Sequence, residues 1–174
     1  STLNAAEAAS ASFTFIAAEV GTDYSYTISS TGGGTPVTGS GTVATASDQI
    51  TGVDLSGLAD GTLTLSVTLT DAAGNSAVAV TDTATLDVTA PIGHSVSFDD
   101  NVFNVSEAAA ASFSFAGGEV GATYGYSVSS SGGGVPVTGS GTLATASDQV
   151  AGLDLTGLAD GTLTLVVTVT DTAG

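Results

Sequence analysis

The only reactive groups this sequence supplies in number are carboxylates: 17 Asp and Glu stand against no Lys or Arg, one His and no Cys. That inventory removes most site chemistries. Without Cys there is no thiolate zinc site, no cysteine nucleophile and no disulfide. Without Lys or Arg nothing can neutralise phosphates, so nucleic-acid binding is excluded. Anionic membrane surfaces repel a chain of formal charge -17. Carboxylates alone can do two things. A pair can hydrolyse a glycoside, or several can share a cation, because two carboxylates about 4 Å apart repel by about 4 kcal/mol at an effective dielectric of about 20. There is no Trp, and the four Tyr fall at matching positions in two copies of one pattern, which leaves no aromatic platform for a sugar. His94 stands alone, with no Cys, Lys or Arg to partner it. The chain therefore reads as no enzyme, and the metal that suits all-oxygen ligands is Ca2+. That ion takes about 6–8 oxygens at about 2.3–2.6 Å from carboxylates, carbonyls and water.

The elements that must position these acids repeat at an offset of one hundred residues. Asn4-Ala5-Ala6-Glu7 returns as Asn104-Val105-Ser106-Glu107, and Thr31-Gly32-Gly33-Gly34-Thr35-Pro36 as Ser131-Gly132-Gly133-Gly134-Val135-Pro136. Roughly two-thirds of the pairs between 1–74 and 101–174 are identical, so one folding unit is copied head to tail. Thr62 to Thr70 alternates strictly, placing Leu63, Leu65, Val67 and Leu69 on one face and hydroxyls on the other. Its copy keeps Leu163, Leu165, Val167 and Val169. Phe13 and Phe15, then Tyr24, Tyr26 and Ile28, then Val78 and Val80 with Leu86 and Val88, read as inward faces of further strands. Gly32-Gly33-Gly34, Gly39-Ser40-Gly41, Asp60-Gly61 and Asp71-Ala72-Ala73-Gly74-Asn75 supply turns. The Ala-rich stretches at 5–11 and 108–111 run straight into Phe-Thr-Phe and Phe-Ser-Phe and read as loop entering strand.

The expected fold is all-β: two tandem Ig-like sandwiches of about seven antiparallel strands each in a Greek key. They span 1–90 and 91–174 and are joined by a short linker around Ala90-Pro91. The first copy is expected to lack its first strand and the second its last, which leaves ladder groups unpaired. Neighbouring copies or a longer array would supply them. There is no run of 18 apolar residues and no basic segment ahead of an apolar one, so no membrane-inserted segment is expected in this stretch.

Shuttling the chain end to end through such a sandwich sorts the loops by pole. One pole of the first copy collects Asn4, Glu7, Asp60 and Asp87, and the facing pole of the second collects Glu119 and Asp171. These six oxygen-bearing side chains are the expected interdomain calcium site. Matching half-sites are Asp99, Asp100, Asn104, Glu107 and Asp160 at one outer pole, and Glu19 with Asp71 at the other. Asp48, Asp54, Asp82, Asp148 and Asp154 read as solvated or turn-forming.

Four segments carry a family resemblance: Asp-Asp-Asn-Val-Phe-Asn-Val-Ser-Glu-Ala (99–108), Leu-Ala-Asp-Gly-Thr-Leu-Thr-Leu (58–65 and 158–165), Thr-Asp-Ala-Ala-Gly-Asn (70–75) and Asp-Val-Thr-Ala-Pro (87–91). In this order and spacing the chain resembles the bacterial Ig-like extender repeats of giant RTX-type adhesins, the class that includes ice-binding and biofilm adhesins. The resemblance implies an extracellular stalk at the bacterial cell surface, exported by a type I system. Its neighbouring identical repeats would be stiffened by calcium at the linkers, to hold out a ligand-binding region carried elsewhere in the parent. Leu63 and Leu163 stand where many relatives carry Tyr, so no tyrosine corner is expected.

Two rival readings lead elsewhere. Ig-like domains can bind a carbohydrate or protein partner through their loops, and the triple-glycine segments are candidates. Yet both copies keep nearly the same loops, which favours a spacer over a receptor. Acidity as adaptation to salt is the other rival, and it requires sodium to stabilise as well as calcium.

Overall fold

Alternation of apolar and hydroxyl residues becomes strand in both halves of the chain in the computed structural model, which describes residues 1–174. The chain divides into unit 1, Ser1–Thr89, and unit 2, Ala90–Thr172. Unit 1 contains β1 (Thr2–Leu3), α1 (Ala5–Ala8), β2 (Ala11–Thr14), β3 (Asp23–Ser30), β4 (Val37–Thr42), β5 (Gln49–Val53), β6 (Gly61–Thr70) and β7 (Val80–Leu86). One sheet runs β1-β7-β6-β3-β4 and the other pairs β2 with β5. Unit 2 contains β8 (Ser95–Phe98), α2 (Val105–Ala108), β9 (Ala111–Ala116), β10 (Thr123–Ser130), β11 (Val137–Thr142), β12 (Gln149–Leu153) and β13 (Leu163–Thr170). Its sheets run β11-β10-β13 and β12-β9-β8. Both units are β-sandwiches, and all pairings are antiparallel except β1 with β7.

Each core is filled by the alternating residues. Ile28, Val53, Leu55, Leu58, Leu63 and Leu86 are buried in unit 1. Phe113, Phe115, Val128, Leu143, Leu153 and Leu155 are buried in unit 2. Each such side chain contributes about 1.5–3 kcal/mol by leaving water. Edge-to-face aromatic pairs recur: Phe13 meets Tyr26 at 5.1 Å between centroids, and Phe113 meets Tyr126 at 5.3 Å. Glycines of the neighbouring strand make room for the tyrosines. Tyr26 pairs in register with Gly39, where a Cβ would stand 2.5 Å from the ring, and Tyr126 pairs with Gly139 in the same way.

Two local readings change. Residues 5–8 and 105–108 are single helical turns, each opened by a capping box. Asn4 Oδ1 accepts from the Ala6 and Glu7 amides while Glu7 Oε2 accepts from the Asn4 amide, and Asn104 with Glu107 repeats the arrangement. Reciprocal satisfaction of the first-turn donors makes so short a helix possible. Val78 and Val80 are exposed rather than inward. β7 begins only at Val80, and of its residues only Ala84 and Leu86 near the other end leave solvent. The triple glycines do turn the chain, the Gly33 amide donating to the Ser30 carbonyl at 3.1 Å, and Gly34 bridges to Leu58 and Gly134 to Leu158, which lays each loop against the one that precedes β6 or β13.

Candidate metal-binding poles

Strand register places the acids. In unit 1, Leu86 pairs with Leu3 on one side and Gly61 on the other, so Asn4, Asp87 and Asp60 follow or precede three adjacent strand ends at one pole. The Asp87 amide donates to the Leu3 carbonyl at 3.0 Å, which fixes that spacing. Asp60 is the anchored member. Its Oδ1 accepts from the Val88 amide at 2.7 Å and its Oδ2 from the Thr89 hydroxyl at 2.5 Å, so it holds the chain as β7 ends. At the opposite end, Asp23 pairs with Thr70, which puts the turn carrying Glu19 beside the loop carrying Asp71. Asp71 closes its own loop, accepting from the Ala73 and Asn75 amides and the Asn75 side chain, each at 2.9 Å.

Unit 2 repeats the layout with one departure. Thr123 pairs with Thr170, so Glu119 and Asp171 belong to loops at one end, and a Cβ on Gly121 would stand 3.6 Å from Thr172. Asp171 Oδ1 accepts from the Gly174 amide at 2.9 Å. Asp100 and Asp160 line one cleft with Phe103, and Asn104 and Glu107 are engaged in the α2 capping box. Asp99 does not join them. Its carboxylate lies over the outer face of the β8-β9-β12 sheet, taking hydrogen bonds from the Ser112 hydroxyl, the Ser114 hydroxyl at 2.7 Å and the Gln149 amide at 2.8 Å. The hydroxyls on the outward face of the Phe-Ser-Phe strand were the sequence signal for this cradle.

The donors suit calcium in kind, being carboxylate and amide oxygens. Their hydrogen bonds are already partly committed. Asn4 Oδ1 accepts two amides, whereas each Asp60 oxygen accepts one donor and keeps a lone pair for a cation. No group of three or more Asp, Glu or His side chains is gathered closely enough to hold a metal ion by itself. A full shell would need carbonyl oxygens and water as well.

The same hydrogen bonds shift the acids. Those from Thr89, then Val88, hold the Asp60 carboxyl below its ordinary 3.8, because they favour the ionised form. Hydrogen bonds from Asn75 act likewise on Asp71, and those from Ser112, Ser114 and Gln149 on Asp99. A depressed folded pKa contributes stability that is present above the unfolded value and lost as pH falls through the folded one. In an acid titration followed by NMR, the Val88 amide is therefore expected to move with a midpoint below 3.8. In Asp60→Asn that transition should vanish. A midpoint at or above the ordinary value would mean that Asp60 does not hold the linker in solution.

No family model matches the chain, and no curated protein sequence does. Among solved structures, it is similar to a tetra-tandem repeat in the extending region of a large adhesion protein, at 28% identity over 91% of this chain and 44% of that one, with a TM-score of 0.42. It is also similar to the FN1–FN3 domains of chicken CNTN1, at 13% identity over 99% of this chain and 57% of that one, with a TM-score of 0.42. A two-domain fibronectin type III segment of chicken tenascin is 16% identical over 94% of this chain and 93% of that one, with a TM-score of 0.34. The chain thus spans about half the length of the first two of these structures.

Proposed function

We propose that this chain is a spacer segment of a bacterial cell-surface adhesin, with calcium bound at the acidic poles beside the linker to stiffen the array. The observation that carries the spacer role is duplication of the loops as well as the strands. Both units keep the capping box, the triple-glycine bridge and the Asp-Gly entry to the long strand. A recognition surface is specified once, whereas a stalk repeats its parts. The resemblance of the chain's motif order to the RTX-type extender repeats supports the same reading, in which the ligand-binding region lies elsewhere in the parent.

Calcium supplies charge balance here, and the residues that would hold it beside the linker are Glu7, Asp60 and Asp87, with Glu119 and Asp171 as the expected ligands from unit 2. Thermal unfolding in millimolar CaCl2, in EGTA, and in NaCl or MgCl2 at equal ionic strength tests this. Calcium alone should raise the midpoint, by mass action worth about 2.7 kcal/mol at a hundred times the dissociation constant. Asp60→Asn with Asp87→Asn should abolish the increment. Equal stabilisation by all the salts would reduce the acids to a solvated surface and sink the calcium half of the proposal.

A further inference from the structure

The same strand borders the same sheet in both units: β4 is paired only by β3, and β11 only by β10. The two strands have one sequence, Val-Thr-Gly-Ser-Gly-Thr. Register shows which of their backbone groups are free. The Leu143 amide donates to the Ala122 carbonyl at 2.9 Å, so Leu143, and with it Gly141 and Gly139, turns its backbone groups toward β10. Alternation then directs those of Thr138, Ser140 and Thr142 away from the sheet. The side chains of these residues are exposed as well. The inner face is closed, because Tyr126 and Tyr124 lie against Gly139 and Gly141.

Such an edge is ordinarily blunted by a charge, a proline or a bulge. β11 has none of these. Its register with β10 is unbroken, Pro136 stands before its first residue, and no charged residue lies between Glu119 and Asp148 in a chain of formal charge -17. In unit 1 an acid does reach the edge, where Asp23 Oδ1 accepts from the Thr42 hydroxyl at 2.8 Å. The residue at that place in unit 2 is Thr123, paired with Thr142.

We infer that β11 pairs antiparallel with β11 of a second copy of this chain. A two-fold interface must be complementary to itself, and Thr-Gly-Ser-Gly-Thr reads the same in both directions about Ser140. Centred there, Ser140 faces its own equivalent and Thr138 faces the partner's Thr142, so every outward amide meets an outward carbonyl. Hydroxyls meet across the outer side of the seam, a favourable cross-strand pairing. On the inner side Gly139 meets the partner's Gly141, which leaves no bulky pair to clash. Elsewhere on the surface two copies bring carboxylates together, so the uncharged border is where they approach at least electrostatic cost. β4 carries the same segment, but Asp23 weakens it, and unit 2 is the favoured site.

Sedimentation equilibrium of the whole chain up to millimolar concentration should show a dimer, strengthened in about 1 M NaCl, where the Debye length falls to about 3 Å. Amide exchange gives the register. In dilute protein the amides of Thr138, Ser140 and Thr142 should exchange fast while those of Gly139 and Gly141 are protected, and on dimerisation protection should become continuous along β11. Ser40→Pro with Ser140→Pro removes an outward amide from each edge and should abolish the dimer without lowering the melting temperature. A second pair of variants does not disturb the backbone. Chains carrying Asp at both positions (S40D with S140D), or Lys at both (S40K with S140K), should each be monomeric, and an equimolar mixture should dimerise. Loss of association in the Lys chain, whose net charge is smaller than the parent's, cannot come from overall repulsion. A parent chain that stays monomeric in high salt overturns the inference and leaves the edge to a different partner. So does a dimer that survives the proline variants, or Asp and Lys chains that do not rescue each other.

Discussion

Phe113→Ala is expected to unfold unit 2 at temperatures where unit 1 persists. Phe113 is 0% exposed, sits in the middle of β9, and packs against Phe115 at 5.7 Å and Tyr126 at 5.3 Å between centroids. Removing a fully buried Phe costs about 3–5 kcal/mol in transfer and cavity terms, and a domain has only about 5–15 kcal/mol to lose. The equivalent substitution in unit 1 should cost less. Phe13 is half-buried, because β2 has only β5 beside it, whereas β9 lies between β12 and β8. Urea unfolding followed by residue-resolved NMR checks both. Two separable transitions, with the larger loss for Phe113, are expected. Equal losses would mean that the uncovered edge of β2 is closed in solution. A single transition for both variants would mean that the units fold as one.

What the sequence showed plainly was whatever depends on period. The Leu63-Leu65-Val67-Leu69 alternation could only be a half-buried strand, and β6 and β13 follow it. Edges were harder to read. Val78 and Val80 carry the same alternation, but burial of a strand face needs a partner sheet above it, and pattern alone does not say where that sheet stops. The helical turns at Ala5–Ala8 and Val105–Ala108 were written in the Asn-x-x-Glu spacing, which is a capping box, and were hidden by the Phe-rich strand that follows so closely. Grouping of the acids by pole follows from strand register and is visible in the pairing of Leu86 with Leu3 and Gly61. The direction of each side chain does not follow from register. Asp99 turns to the hydroxyls of Ser112 and Ser114 because serines two apart on β9 face the same side.

The triple-glycine loops give the second large effect, and it links the fold to the acidic poles. Gly132→Ala should cost about 2–4 kcal/mol, at the severe end for a single substitution. A Cβ at Gly132 would stand 2.1 Å from the Asp160 carbonyl oxygen and 3.0 Å from its carbon. Both are backbone atoms, so relief requires the two loops to part. Parting them breaks a stitched contact: the Ala159 amide donates to the Gly133 carbonyl at 3.0 Å, and the Ser130 hydroxyl donates to the Ala159 carbonyl at 2.7 Å. Gly133→Ala is the control. Its φ of 100° strains any side chain, but nothing lies within 4 Å of its Cβ, so only the left-handed penalty of about 1–2 kcal/mol applies. Unit 1 has the same construction, with a Gly32 Cβ 2.0 Å from the Asp60 carbonyl oxygen. The loop is therefore the brace behind the residue that grips Val88 and Thr89, and Gly32→Ala should move the Val88 amide resonance as well as lower the melting temperature. If Gly132→Ala proves no worse than Gly133→Ala, the loops part freely and the acids at their tips are positioned by the strands alone.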